Sequence, residues 1–192
     1  MLYMHELPDQ TAPFAAKVSY YPVGECHWWF RCLLFSYNRW VFKFNQDWSD
    51  EEKNKYRQEA NTASVILRAL FCDKSQFETQ ASTVETLAQN YVQGQHSPLP
   101  DIMAKWYEER LHGVSQEDGM PYTSCQGSTV TELRDILDPL ITPKHVCDKP
   151  LLWPLVKQVT VGVPSSRILR DLTLVDLPGT FTSHAISRAV SD

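Results

Sequence analysis

The sequence predicts an α/β protein in which strands near both ends of the chain enclose a helical segment. Two observations lead to this prediction. Aromatic and β-branched residues dominate 14–23 and 28–44, and a second group of apolar residues lies near the C-terminus, which is the composition of strands. Between these regions, capping signatures and apolar residues at three- and four-residue spacing indicate helices.

The first strands are expected at 14–23 and 28–44, joined by a turn near Gly24. Three tryptophans, at positions 28, 29 and 40, fall in this region. We interpret them as core residues, because large apolar side chains stabilise a protein mainly by being buried. This region is therefore expected to supply the first part of a sheet.

The helical segment is expected at about 49–140. Residues 49–52, Ser-Asp-Glu-Glu, have the form of a capping box, and apolar residues in 56–70 then recur at helical spacing. Residues 82–94 repeat the capping signature and end in a glycine, which predicts a second helix.

Two more helices are predicted in the second half of this segment. One is expected at 101–112, and another begins at 129 and is stopped by Pro139. Residues 113–128 are rich in glycine, serine and other polar residues, so we expect a surface loop there. Residues 141–154 contain several prolines and are expected to be irregular.

Two strands are predicted before the most informative motif of the chain. Val159, Val161 and Val163 alternate as on a half-buried strand, and 172–175 is a nearly continuous apolar run. Asp176, Leu177, Pro178 and Gly179 follow directly. An aspartate at the carboxyl end of a central strand lies where open α/β sheets bind their ligands.

The motif at 176–179 suits a nucleotide site. A carboxylate such as that of Asp176 can hold Mg²⁺ through a water, because this ion binds few carboxylates and keeps most of its waters. The absence of a side chain at Gly179 allows a backbone N–H to approach a phosphate. The alternative is that Pro178 and Gly179 only form a turn after a buried strand.

The C-terminal region resembles a known family. Residues 151–192, through Asp-Leu-Pro-Gly-Thr and on to Arg188, are similar to the third GTPase motif region of dynamin-like large GTPases, above all the fungal and nuclear group. The resemblance implies a P-loop GTPase-like sheet that binds GTP or GDP. It also implies Mg²⁺ held by Asp176 through a water, nucleotide contacts at 176–179, and self-association.

Two motifs of that family are missing from these 192 residues. A phosphate-binding loop needs Gly-x-x-x-x-Gly-Lys-Ser/Thr, and none of the nine lysines follows a glycine. Asn54-Lys55-Tyr56-Arg57 has arginine where the guanine-reading motif needs aspartate. We therefore expect residues 1–192 to be an incomplete dynamin-type GTPase domain that lacks the first strand and the phosphate loop.

The expected function follows from this resemblance. The chain is interpreted as a fragment of a GTPase domain, with GTP hydrolysis in the intact relative and weak or no activity in the chain itself. No residue is assigned a catalytic role, and Thr11 is not assigned to the first switch, because the likeness places that position at Ala15 and Ala16. The alternative is a non-catalytic α/β module that binds another protein.

Composition limits the other function classes. The net charge is -5 with no basic run, which argues against a nucleic-acid partner. No apolar stretch is long enough to span a membrane. Five cysteines without a Cys-x-x-Cys pair favour free thiols and a cytoplasmic or nuclear location. The pairs Cys26-His27 and His145/Cys147 lack the spacing of a structural zinc site.

Overall fold

The computed structural model describes residues 1–41, 47–74, 99–142, 149–170 and 174–175. The described residues form a mixed α/β protein, so the predicted class is confirmed. They divide into two units. The sheet unit holds the described residues of 1–22, 111–142 and 151–175, and the helical unit holds those of 23–110 together with 149–150.

The described strands form one mixed sheet. They are β1 (Leu2–Met4), β2 (Phe14–Tyr20), β3 (Ser115–Glu117), β4 (Met120–Gly127), β5 (Val156–Gly162) and β6 (Leu174–Val175). Their order across the sheet is β3-β4-β2-β5-β1-β6. The pair β1/β5 is parallel, and every other described pair is antiparallel.

The described helices are α1 (Val23–Val41), α2 (Asp50–Phe71), α3 (Leu99–Arg110) and α4 (Val130–Ile141). Short 3₁₀ turns cover Trp153–Leu155 and Ile168–Arg170. The helical unit begins and ends earlier in the chain than the expected insert at about 49–140. The difference arises because 23–41 is helical and because α4 packs on the sheet.

Helix α4 packs on one face of the sheet. Side chains of a strand alternate between the two faces, so alternate residues of β2 and β5 contribute to the core on this face. The core of the sheet unit consists of Ala16, Val18, Tyr20, Cys125, Leu133, Leu137, Val159 and Val161. Lys17, between two of these positions, lies on the opposite face, where it pairs with Glu117 and contacts the Tyr122 ring.

The predicted strand at 28–44 is wrong, because 23–41 forms α1. Its buried apolar residues are Cys26, Phe30, Cys32, Leu33, Leu34 and Tyr37, and all but Cys32 recur at the three- and four-residue spacing of one helix face. This packing overrides the strand preference of the aromatic residues. Trp28 lies on the other face and is 50% exposed, so the core prediction is wrong for it.

The predicted capping box of α2 is confirmed. The Ser49 hydroxyl accepts a hydrogen bond from the Glu52 N–H at 3.2 Å, and the Glu52 carboxylate accepts one from the Ser49 N–H at 2.9 Å. The apolar stripe of this helix is buried, as predicted from Tyr56 through Leu70. The helix ends at Phe71, whose ring contacts that of Trp106 on α3 with centroids 5.4 Å apart.

The predicted loop at 113–128 is wrong, because β3 and β4 form a hairpin there. Asp118 and Gly119 occupy its turn with φ values of 51° and 77°, which is the type I′ geometry that matches the twist of two paired strands. Pro139 does not stop α4, because Thr142 N–H still donates to the Asp138 carbonyl at 2.9 Å.

The other predicted elements have mixed outcomes. The helices expected at 101–112 and from 129 are confirmed as α3 and α4. The strand around Val159 is confirmed as β5, although 159–162 is buried throughout rather than on one face only. The helix expected at 82–94 lies outside the described residues.

Candidate functional site

The strand that leads to the predicted nucleotide motif is part of the sheet. β6 pairs with β1 in the register Leu2↔Val175 and Tyr3↔Leu174, which confirms a strand in the last two residues of the predicted run. Asp176, Leu177, Pro178 and Gly179 lie outside the described residues, as does Arg188. The described part of the candidate site is therefore the strand that ends directly before the motif.

Among the described strands, β6 lies at one end of the sheet order and has β1 as its neighbour. The sequence placed the motif after a central strand instead. In the described sheet the three-residue β1 lies between β5 and β6. β6 is therefore attached to the other described strands through β1.

The strand directions separate Thr11 from the candidate site. β2 is antiparallel to β5, β5 is parallel to β1, and β1 is antiparallel to β6. β2 and β6 therefore run in the same direction, and the segment before β2 lies at the opposite end of the sheet from the C-terminal end of β6. The Thr11 hydroxyl instead lies 3.1 Å from the side-chain oxygen of Gln126.

Gln126 on β4 fastens the segment before β2 to the sheet. Its Oε1 accepts hydrogen bonds from the N–H groups of Thr11 and Ala12, both at 2.9 Å, and its Nε2 donates to the Asp9 carbonyl at 3.1 Å. Asp9 has a φ of 60°, a left-handed conformation that a short polar residue tolerates better than most. One exposed glutamine thus holds the loop backbone at three residues.

Gln10 fastens the same segment to the end of β5. Its Oε1 accepts from the Leu7 N–H at 3.0 Å, and its Nε2 donates to the Ala12 carbonyl at 2.9 Å and to the Gly162 carbonyl at 3.3 Å. Gly162 pairs with Met4 in the sheet. The Val163 N–H then donates to the Met4 carbonyl at 2.9 Å, which closes β1 against β5.

The two glutamines were not identified from the sequence. Isolated glutamines in polar surroundings carry no pattern that indicates their hydrogen-bond partners, because the partners that link the loop to the sheet are far away in the chain. Gln10 and Gly162 are 152 positions apart, for example.

The buried thiols of the described residues are poor candidates for nucleophiles. Burial raises the pKa of Cys26 to about 12 and that of Cys32 to about 11, and burial also raises the pKa of Cys125. A reactive cysteine needs a lowered pKa, because the thiolate is the nucleophile. Cys147 lies outside the described residues.

In the part of the chain that the structure describes, the side chains that could bind a metal ion lie apart from one another. No group of three His, Cys, Asp or Glu side chains there could hold a metal ion. His27, next to Cys26, lies 2.6 Å from the Asp101 carboxylate and ties α1 to α3. His145 lies outside the described residues.

Comparison with protein-family models, curated proteins and solved structures finds no match to this chain. Within the described residues, none of the helices combines the length and the apolar character needed to cross a membrane. The likeness to dynamin-type GTPases therefore rests on the sequence of residues 151–192.

Proposed function

We propose that this chain is part of a GTP-binding domain of the dynamin type, in which the turn at 176–179 contacts the magnesium ion and the γ-phosphate. One observation carries the proposal. An apolar strand, β6, joins a mixed α/β sheet and ends at Val175, directly before Asp-Leu-Pro-Gly. A strand followed by a turn with an aspartate is the order in which nucleotide-binding sheets present a ligand, here on a strand at the end of the described order.

Each residue of the turn has a distinct role in this proposal. The Asp176 carboxylate holds Mg²⁺ through a water, and the Gly179 N–H donates to the γ-phosphate. Leu177 and Pro178 determine the backbone conformation between Asp176 and Gly179. In the intact relative, water attacks GTP while the protein supplies position and charge, and loss of the γ-phosphate releases the segment after the turn.

The affinity of this chain for nucleotide is expected to be weak. Most of the binding free energy for phosphates in such sites comes from a backbone cradle and its lysine. The sequence of this chain contains no Gly-x-x-x-x-Gly-Lys. The contacts at 176–179 therefore act without that cradle.

The proposal is tested by titrating the purified chain with a fluorescent GTP analogue and Mg²⁺. An Asp176→Ala variant is compared with Asp135→Ala, which removes an exposed carboxylate from α4. We expect weak saturable binding that EDTA reduces, that Asp176→Ala abolishes and that Asp135→Ala leaves unchanged. A folded chain without binding, or equal binding by both variants, would overturn the proposal.

The alternative is a non-catalytic module that binds another protein. The observation that favours it is the exposure of two aromatic residues on α1, Trp28 at 50% and Phe35 at 41%. Arg31 lies between them on the same face and is also exposed. A folded chain that fails to bind the GTP analogue would favour this alternative. A cytoplasmic or nuclear location remains a prediction under either function.

A further inference from the structure

We propose that Gln10 is a positioning residue for β6, and that it holds the strand leading to Asp176 in the sheet by fixing β1 to β5. The inference that Gln10 positions β6 depends only on the geometry of the described residues. The consequence for nucleotide binding rests on the proposed function.

The first step concerns the neighbour of β6. Among the described strands, β6 pairs with β1, through Leu2↔Val175 and Tyr3↔Leu174. A two-residue strand cannot hold itself in a sheet, because isolated strand pairs are at best marginally stable in water. The position of β6 therefore follows the position of β1.

The second step concerns β1 itself. It pairs with β5 over three residues, from Leu2↔Thr160 to Met4↔Gly162, whereas β2 pairs with β5 along most of its length. Leu2 and Tyr3 are only half-buried, and the Met4 side chain is exposed. A strand this short and this exposed opens more readily than the rest of a sheet and needs a further attachment.

The third step identifies Gln10 as that attachment. The chain turns directly after β1, where the Gln10 N–H donates to the Leu7 carbonyl at 3.1 Å. The side chain of Gln10 then bonds the Leu7 N–H on this turn and the Gly162 carbonyl on β5. Gly162 is the β5 partner of Met4, so Gln10 ties the turn that follows β1 to the residue of β5 where the β1/β5 ladder ends.

Gln126 provides a matched control. It bonds Asp9, Thr11 and Ala12 of the same loop, but it anchors them to β4 instead of β5. Loss of Gln126 is expected to loosen the loop without releasing β1. A comparison of the two glutamines therefore separates a specific effect on β6 from a general loosening of the loop.

The test is hydrogen exchange of the full chain, resolved at the amides of Leu174 and Val175. Amides of β2 and β4 serve as the internal reference. A lost hydrogen bond costs about 1 kcal/mol, so we expect exchange at β6 to be about fivefold faster in Gln10→Ala. Gln126→Ala should leave β6 unchanged. Gln10→Glu keeps the acceptor for Leu7 but places a carboxylate oxygen against the Ala12 and Gly162 carbonyls, so it should also make exchange at β6 faster than in the unmodified chain.

Three results would overturn the positioning role. They are unprotected β6 amides in the unmodified chain, equal exchange at β6 in Gln10→Ala and Gln126→Ala, and wild-type exchange at β6 in Gln10→Ala. If Gln10→Ala unfolds, seen as lost protection in β2 and β4, Gln10→Glu decides the outcome by the same comparison.

The same variants are then titrated with the fluorescent GTP analogue and Mg²⁺. Weaker binding by Gln10→Ala than by Gln126→Ala would support the link from β6 to the nucleotide. If the unmodified chain binds no nucleotide, the proposed function fails, while the exchange data still decide whether Gln10 positions β6.

Discussion

The side chain of Gln10 lies directly against Gly162. Its Nε2 donates to the Gly162 carbonyl at 3.3 Å, and a Cβ at position 162 would collide with its Oε1. The same Cβ would also lie 3.0 Å from the backbone nitrogen of Leu7. A side chain at residue 162 would therefore force the loop after β1 to shift away from the end of β5.

A Gly162→Ala variant is expected to lower the free energy of unfolding by about 1–3 kcal/mol, the usual cost of overpacking. The Gln10 side chain can rotate away, but the Leu7 backbone cannot move without shifting the end of β1. Urea denaturation followed by circular dichroism measures the loss. Unchanged stability would show that the loop does not lie against β5 in solution.

Gly24→Ala is the matched control for this substitution. Gly24 is an exposed residue of α1, and a Cβ there would meet nothing within 4 Å. Replacing glycine by alanine in a helix stabilises it by roughly 0.5–1 kcal/mol. This variant should therefore be more stable than the unmodified chain in the same assay, and Gly162→Ala less stable.

A second close contact predicts the effect of Gly127→Ala. A Cβ at Gly127 would lie 2.8 Å from the Leu133 nitrogen and 3.2 Å from the Leu133 Cα. Both are backbone atoms of α4, so the added methyl group displaces the helix as a whole. We expect a loss of about 1–3 kcal/mol in urea denaturation. The truncation Leu133→Ala serves as the reference on the same helix, because shortening a buried leucine costs about 2–5 kcal/mol. Unchanged stability in Gly127→Ala would contradict the close contact.

Local signals explain which elements could be predicted from the sequence. The start of α2 was predictable because the side chains of Ser49 and Glu52 each accept a hydrogen bond from the backbone N–H of the other, within one turn of helix. The hairpin of β3 and β4 was also predictable in principle, since Asp118-Gly119 is the preferred type I′ turn pair. The overall polarity of 113–128 concealed that signal.

The region of helix α1 was predicted wrongly, as a strand. Aromatic residues in 28–44 favour strands by composition, but their spacing in the folded chain is helical, with Phe30, Leu33 and Tyr37 on the buried face. The order of strands around the candidate site was not predictable, because nothing local shows that Leu2–Met4 lies between β5 and β6. Such pairings depend on contacts between residues far apart in the chain.

The pH dependence of stability is expected to include a contribution from Glu59 on α2. Burial raises the pKa of this carboxyl, and nearby Lys55 and Arg39 offset only part of that rise. The folded state therefore binds this proton more tightly than the unfolded state does. The stabilising contribution is fully present below the ordinary glutamate pKa of about 4.3 and is lost as the pH rises through the raised value.

Glu59→Gln removes the ionisable carboxyl and with it this pH-dependent contribution to stability. The variant should therefore lose less stability than the unmodified chain when the pH is raised from about 4 to about 7. The measurement is urea denaturation across that range. Glu108→Gln, which changes an exposed carboxyl on α3, is the control and should follow the unmodified chain. Parallel pH profiles for both variants would contradict the assignment.

The thiols give a chemical test of the packing of α1. Cys26 is 1% exposed and its pKa is raised to about 12, mainly by burial, with a smaller effect of Glu25. Such a shift lowers the thiolate fraction at pH 8 about a thousandfold relative to an ordinary thiol. Cys26 is therefore expected to resist iodoacetamide in the folded chain and to react once the chain is unfolded in urea.

Peptide mass mapping of the native labelling reaction measures this difference. Cys72 is only partly buried, so it should be labelled before Cys26 and Cys32, and Cys72→Ser should leave those two buried thiols unlabelled. Labelling of Cys26 at the rate of Cys72 near pH 8 would mean that the face of α1 carrying Phe30 and Leu33 is open to solvent, and the helical packing described for 23–41 would be wrong.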